Sequence, residues 1–284
     1  MSRLLLGPAA DVLRTEIADA SADMVYSDPP FGNEKVWTGK AGSFDDRWEW
    51  SAASSAGWAA LQRHSPAGLA LLAAVARTKS ARAYLGVMAG IVVELRRVLK
   101  LTGTLWLHFD DTMGAELRLL CDAVFGPENA IGTLVWVRTL GGHGNVKGFG
   151  RIHDTIACYG RSRAAKWRLW RIGTLDGDPI TGEGFGRFDD FAVAAPLGPT
   201  DKERVGYPTQ KPIALLEELI RAATLPGNVV LDPTCGSGTA LVAATRLQRK
   251  SIGIDISQDA LTAASARLTG PATAQPSFDF GEVA

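Results

Sequence analysis

Cysteine is scarce in this chain of 284 residues: three, at 121, 158 and 235. An odd number so widely spaced excludes a disulfide framework and a thiolate zinc site, and a cytoplasmic location is expected. No run of 18 apolar residues occurs, which excludes a membrane-spanning helix. The N-terminus lacks a basic region followed by an apolar stretch and a small-residue cleavage site, so no secretion signal is expected. Net charge is absent as well: 30 Lys and Arg offset 30 Asp and Glu, so overall charge makes no case for nucleic acid. Repeats, low-complexity tracts and long polar linkers are missing too.

What is present is apolar surface and a local imbalance of charge. Hydrophobic residues make up 46% of the chain, enough for one large α/β domain or two small ones. Between 138 and 171 stand Arg138, Lys147, Arg151, Arg161, Arg163, Lys166, Arg168 and Arg171 against the single acid Asp154. Such a run is either a solvated face or an electrostatic footprint for phosphates.

Apolar spacing places the elements. Asp23–Ser27 reads as a buried strand stopped by Asp28-Pro29-Pro30, because prolines end strand pairing. Tyr84, Leu85, Val87, Met88, Ile91, Val92, Leu95, Val98 and Leu99 have helical spacing over 81–100, with Gly103 expected to close the helix before a strand at 104–109. A helix at 114–125 follows, then strands at 131–137 and 155–159 around a Gly-rich loop at 141–150. Residues 160–206 hold loop-like Gly and Pro and read as an exposed recognition segment. Helix 212–223, strand 229–231, helix 239–248, strand 251–255 and helix 258–268 complete the pattern, with a frayed tail from 270. Strands alternating with helices predict a doubly wound, mostly parallel α/β sheet, whose ligands sit outside the carboxyl ends of the strands.

Two constellations carry chemistry. Asp232-Pro233-Thr234-Cys235-Gly236-Ser237-Gly238-Thr239 follows the strand 229–231, and Asp255 ends the next strand. An acid, a glycine turn and a helix N-terminus suit a nucleotide-type ligand, and an acid ending the second strand suits the two hydroxyls of a ribose. The phosphate-cradling Gly-Lys-Ser/Thr pattern is absent, so the ligand reads as a nucleoside held by Asp232, Gly236, Ser237, Gly238, Thr239 and Asp255. The alternative is a tight structural turn. The second constellation is Ser27-Asp28-Pro29-Pro30-Phe31-Gly32. An exocyclic base amine is a weak nucleophile because its lone pair is delocalised; the Asp28 carboxylate and a backbone carbonyl could accept its two N–H bonds, while Phe31 stacks on an extruded base. On its own, Asp-Pro-Pro is more often a capped turn.

Together these motifs resemble the beta class of amino-group DNA methyltransferases, in which the catalytic motif precedes the cofactor motif. The resemblance spans roughly residues 3–268. It includes Phe44-Asp45-Asp46-Arg47-Trp48, Val98-Leu99-Lys100-Leu101-Thr102-Gly103, His108-Phe109-Asp110-Asp111, Val124-Phe125-Gly126-Pro127-Glu128-Asn129, His153-Asp154-Thr155-Ile156 and, most specifically, Gly206-Tyr207-Pro208-Thr209-Gln210-Lys211-Pro212. It implies a Rossmann-like methyltransferase sheet with circularly permuted motif order, S-adenosyl-L-methionine as cofactor and DNA as partner. It also implies Asp28, Pro29, Pro30 and Phe31 as the catalytic motif, with Thr209, Gln210 and Lys211 near the methionine end of the cofactor.

The expected division is a catalytic half at 1–159, a recognition segment at 160–206, a cofactor half at 207–270 and a tail at 271–284. DNA contact is assigned to Arg138, Lys147, Arg151, Arg161, Arg163, Lys166 and Arg168. Thr234 stands where the family usually has an aromatic residue, and Gly7-Pro8 where Gly-Asp is usual. His108 and His153 are expected as structural strand-end residues, and Trp37 and Trp48 as neighbours of DNA. The acid at position 28 is the usual adenine form of the motif, so adenine N6 is the expected target, with cytosine N4 as runner-up. Rivals are methylation of RNA or of a protein glutamine, the latter disfavoured by Asp rather than Asn at 28, and an inactive DNA-binding regulator. The oligomeric state is open, a homodimer included, as is the existence of a restriction partner.

Overall fold

The apolar run before Asp28 is one of the central strands of an eight-stranded sheet. The computed structural model describes residues 2–138, 151–166, 191, 192, 194, 196–198 and 200–270. Its first half contains β1 (Ser2–Leu6), α1 (Ala9–Glu16), β2 (Ala22–Ser27), β3 (Val36–Gly39), β4 (Gly42–Asp45), α2 (Ala52–His64), α3 (Pro66–Val75), α4 (Lys79–Val98), β5 (Leu99–Phe109) and α5 (Gly114–Phe125). Then follow a 3₁₀ turn (Pro127–Asn129), β6 (Ala130–Val137), β7 (His153–Gly160) and β8 (Phe191–Ala192). The remainder is α6 (Ile213–Ala223), β9 (Val229–Asp232), α7 (Thr239–Arg246), β10 (Lys250–Asp255) and α8 (Gln258–Thr269).

The sheet runs β1-β10-β9-β2-β5-β7-β6-β8. From β1 to β5 all neighbours are parallel; β7 is antiparallel to both β5 and β6. The late strands β9 and β10 therefore lie between β1 and β2, so residues 207–270 and 1–159 are interleaved in one sheet. A two-stranded hairpin, β3-β4, follows the Asp28 motif outside the sheet. Most of the segment 160–206, the Gly-rich loop and the tail lie outside the described residues.

Both faces are covered, as parallel strands require. Leu85, Met88, Val92 and Leu95 of α4 pack with Leu117, Leu120 and Val124 of α5 on Val25, Leu105 and Leu107. On the other face Leu215, Leu216, Leu219 and Ile220 of α6 join Val242 and Ala243 of α7 against Met24, Tyr26 and Trp106. Thr78 caps α4 by accepting from the Ala81 N–H, and Ser51 with Ser54 forms a capping box on α2. These two helices cross backbone to backbone: a Cβ on Gly57 would lie 1.7 Å from the Gly86 carbonyl oxygen.

One boundary differs from expectation. The helix ends at Val98 and β5 begins at Leu99, passing straight through Gly103. Glycine is needed there for close strand approach, since a Cβ would meet the Asp23 carbonyl oxygen at 3.0 Å where the β2–β5 register slips. Among the described residues no helix is long and apolar enough to cross a membrane.

Candidate active site

Parallel neighbours bring their carboxyl ends to one edge, and here that edge carries a row of acids. Asp255 ends β10, Asp232 ends β9, Asp28 follows β2 and Asp110 follows β5, in that order across the sheet. The two sequence motifs thus become neighbours, and the hydroxyls of Ser27 and Thr234 stand 3.4 Å apart between them.

The Asp28 motif is held on all sides. Tyr84 donates to the Pro30 carbonyl at 2.9 Å; among the described residues no donor takes the Pro29 carbonyl. Asp46 is 1% exposed and organises the turn behind Phe31: Oδ1 accepts from the Gly32 N–H and the Trp48 indole, Oδ2 from the Asn33 N–H. Trp48 packs edge-on to Tyr84 at 5.1 Å, which makes it a wall of the core. Trp37 stacks on Phe44 within the hairpin. His108 is fully buried, with Nδ1 2.9 Å from the Tyr26 hydroxyl and Nε2 3.3 Å from Asp154. Burial works to raise the Asp154 carboxyl, but the bond to His108 and nearby cations hold it below its ordinary value. His153 opens β7 and is half-buried, while His108 lies inside β5.

The glycine turn is built for close approach. Gly236 and Gly238 have φ of +50° and +77°, the left-handed region that glycine occupies without penalty. A Cβ on Gly238 would lie 2.8 Å from that of Ala264, and one on Gly236 would press on the Tyr207 ring at 3.2 Å. Asp255 accepts from the Gly236 N–H at 2.8 Å and the Ser257 N–H at 2.9 Å, with the Ile256 N–H also turned to the carboxylate, which leaves acceptor capacity for a hydroxyl donor. Asp232 is 3% exposed and accepts from the Thr234 N–H. Burial raises both carboxyls, Asp232 well above the usual range, where Asp28 and Asp255 push it further. Burial likewise pushes the Cys235 thiol up.

Side-chain placement divides the residues expected at the cofactor. Ser237 and Thr239 are buried, and their hydroxyls lie 3.2 and 2.9 Å from Arg267 Nη1, which also donates to the Ser237 carbonyl. Gln210 accepts from the Val205 N–H and donates to the Glu203 carbonyl, closing its own loop. Thr209 is exposed, at a φ of +58° unusual for a β-branched residue. Lys211 points into the site: Nζ donates to Asp28 Oδ2 at 2.7 Å and lies 5.4 Å from the centre of the Phe31 ring. Asp11 pairs with Arg14 on the surface.

Asp46, Tyr207, Glu203 and Arg267 were missed by sequence reasoning as site-forming residues. A signal existed for Arg267, which shares one face of α8 with Ala260 and Ala264, an inward register for a cation. Glu203 accepts from the Ile213 N–H at the start of α6 and lies 3.7 Å from Arg267.

The described members of the basic run do not form one surface. Arg138 pairs in backbone with Ile152 just past the carboxyl end of β5, on the edge that carries Asp28. Arg161 and Lys166 donate backbone N–H groups to Gly103 and Thr102 at the other end of β5, with Arg163 between them. The eight residues of β7 separate the two groups, roughly 23 Å at strand rise. Arg138 and Arg151 thus lie near the acid row, and Arg161, Arg163 and Lys166 do not; Lys147 and Arg168 fall outside the described residues.

The family model for N6/N4 DNA methylases matches residues 22–266, from the start of β2 into α8. This chain belongs to that DNA methylase family. It is 24% identical to the Type II methyltransferase M.EcaI of Enterobacter cloacae, over 61% of this chain and 54% of that protein, so it spans about half the relative's length. Among solved structures it resembles the PvuII DNA methyltransferase, which is cytosine-N4-specific, with a TM-score of 0.65 at 13% identity over 95% of this chain and 86% of the other. The M1.HpyAVI–SAM complex gives 0.57 at 16% identity, over 95% and 100%. The fold these solved structures share with the chain is a Rossmann-like sheet.

Proposed function

We propose that this DNA methylase transfers a methyl group from S-adenosyl-L-methionine to the exocyclic N6 of adenine in DNA. The observation that carries the reading is the placement of the Asp28 motif directly after β2, the strand that neighbours the β9 which Asp232 ends.

The donor set suits this cofactor. Left-handed glycines let the turn pack closely on Tyr207 and Ala264, Asp255 keeps acceptor capacity for a ribose, and buried acids suit a cation. Gly236, Gly238, Asp232 and Asp255 would hold the nucleoside, and Lys211 would meet the methionine carboxylate. Bound there, the cofactor supplies an electrophilic methyl on a sulfonium. Ser237 and Thr239 support the turn from below, through Arg267.

Asp28 and the Pro29 carbonyl accept the two N–H bonds of the target amine, which localises its lone pair on nitrogen. Phe31 supports the extruded base by stacking, and His108 and Asp46 hold that ring and its turn in place. The surplus proton stays on the Asp28 hydrogen bond until it passes to water, so no strong base is required. Arg138 and Arg151 offer cations to phosphates beside the site.

Adenine is chosen over cytosine because Asp28 is the usual adenine form of the motif. The likeness to a cytosine-N4-specific enzyme makes cytosine the second reading. Nuclease digestion of DNA methylated by the protein, followed by mass spectrometry of the nucleosides, tests the choice: N6-methyldeoxyadenosine is expected, and N4-methyldeoxycytidine as sole product would replace it.

A further inference from the structure

Lys211 occupies the place that the target amine needs. Its Nζ is a nitrogen donor on Asp28 Oδ2 at 2.7 Å and lies 5.4 Å from the centre of the Phe31 ring. Those are the two partners assigned above to the base, one for its amine and one for its face. The pair is enclosed, at 10% side-chain exposure for Lys211 and 18% for Asp28, so water screens it little. An ammonium held on this carboxylate and over this ring competes with a base amine for both.

The surroundings say how the conflict resolves. The backbone of Lys211 is fixed: Gln210 ties the loop to Glu203 and Val205, and Glu203 holds the first turn of α6. The side chain has four rotatable carbons, and it alone has to move. A sulfonium brought beside Asp28 is a second cation at one carboxylate, which weakens the hold on Lys211. The amino-acid end of the same molecule carries an anion that can take the ammonium over. Both effects act in one direction.

We infer that Lys211 is a stand-in for the target amine, holding Asp28 until it exchanges that carboxylate for the methionine carboxylate of the bound cofactor. Lys211 thereby makes base entry conditional on cofactor occupancy. The inference rests on the methyltransferase reading above.

The test uses the full chain and a duplex carrying 2-aminopurine next to the base that it methylates; 2-aminopurine brightens when its stacked neighbour leaves the helix. Brightening is followed without ligand, with S-adenosylhomocysteine, which keeps the carboxylate, and with 5′-methylthioadenosine, which lacks the amino-acid part. In the parental protein, S-adenosylhomocysteine is expected to tighten extrusion of the base by at least about tenfold, because it frees the binding-competent state, and methylthioadenosine should do little. Lys211→Met should brighten the duplex without ligand, and Lys211→Arg should restore the ligand requirement. Equal brightening without ligand, or with methylthioadenosine, in the parental protein overturns the inference and needs no variant. A Lys211→Met protein as dependent on S-adenosylhomocysteine as the parent also overturns it. Failure of the methyltransferase reading looks different: no labelled methyl reaches the unmodified duplex, and no condition brightens the probe.

Discussion

The imidazole of His108 lies beneath the ring of Phe31, centroids 6.0 Å apart and planes 25° from parallel. Its two nitrogens are engaged by Tyr26 and Asp154, so the platform under the aromatic ring is locked from both sides. His108→Ala removes the platform and strands a buried hydroxyl and a buried carboxylate oxygen. Loss of about 2–4 kcal/mol in stability is expected, from a cavity plus unsatisfied polar groups. Denaturant unfolding measures it, and a midpoint unchanged from the parent would refute the structural role.

Asp28→Ala should lower methyl transfer by at least about 10²-fold, the scale for losing one preorganised transition-state partner. Cofactor binding should persist, because Asp28 follows β2 while the glycine turn follows β9, and Lys211 freed from Asp28 remains available to the methionine carboxylate. Asp28→Asn keeps an acceptor and should retain residual turnover. Single-turnover kinetics with calorimetry separates the two effects; near-parental turnover of the alanine variant removes Asp28 from the mechanism.

Asp255→Ala should weaken S-adenosylmethionine binding by about one to two powers of ten, since a charge-assisted hydrogen bond is worth roughly 1.5–3 kcal/mol. The same change frees the Gly236 and Ser257 N–H groups, which bond to different oxygens, so Asp255→Asn is the companion variant that keeps an acceptor for one of them. Unchanged affinity in a folded alanine variant would reassign the ribose site.

Asp232 gives a pH signature. Burial raises its carboxyl well above the unfolded value. In the window between the two values the folded chain binds more protons than the unfolded one, so stability falls as pH rises through it. Cofactor-free protein should therefore lose stability as pH climbs out of the carboxylate range, and Asp232→Asn should flatten that slope. Thermal melts across pH with parallel curves for parent and variant would contradict this.

Salt dependence should tell the two ends of the basic run apart. Arg138→Gln with Arg151→Gln should lower the slope of log affinity against log salt by roughly 1.8 if each cation meets one phosphate. Arg161→Gln with Arg163→Gln should leave the slope near parental, because those residues lie at the far end of β7. A reversed outcome would put DNA on the other end of the sheet.

Much of this was legible in the sequence, for local reasons. Strand 22–27, helices 79–98, 114–125, 213–223 and 258–269, and the acid-to-glycine turn announce themselves through period and punctuation. Harder to read were features set by long-range pairing. Gly103 looks like a helix stop, yet its role is to let β5 pass close to β2. Ser237 and Thr239 sit in the cofactor motif, but a cation 28 and 30 residues away takes their hydroxyls. The charge run from 138 to 171 looks continuous because a sequence does not show that β7 reverses direction within it. Asp46 was visible only inside a motif, without its three hydrogen-bond donors.

The pairing of β1 with β10 has a consequence for synthesis. Ser2 meets Ser251 across that ladder, 249 residues later in the chain. At the usual 5–20 residues per second, β1 waits about 12–50 s for its strand partner after leaving the ribosome. Through that interval Leu4 and Leu5 have no sheet neighbour to cover their backbone, and the acid row cannot be completed, because Asp232 and Asp255 belong to the much later strands β9 and β10. Closure of the row thus waits for β10, and the proposed cofactor site cannot form in a nascent chain before that strand has been made.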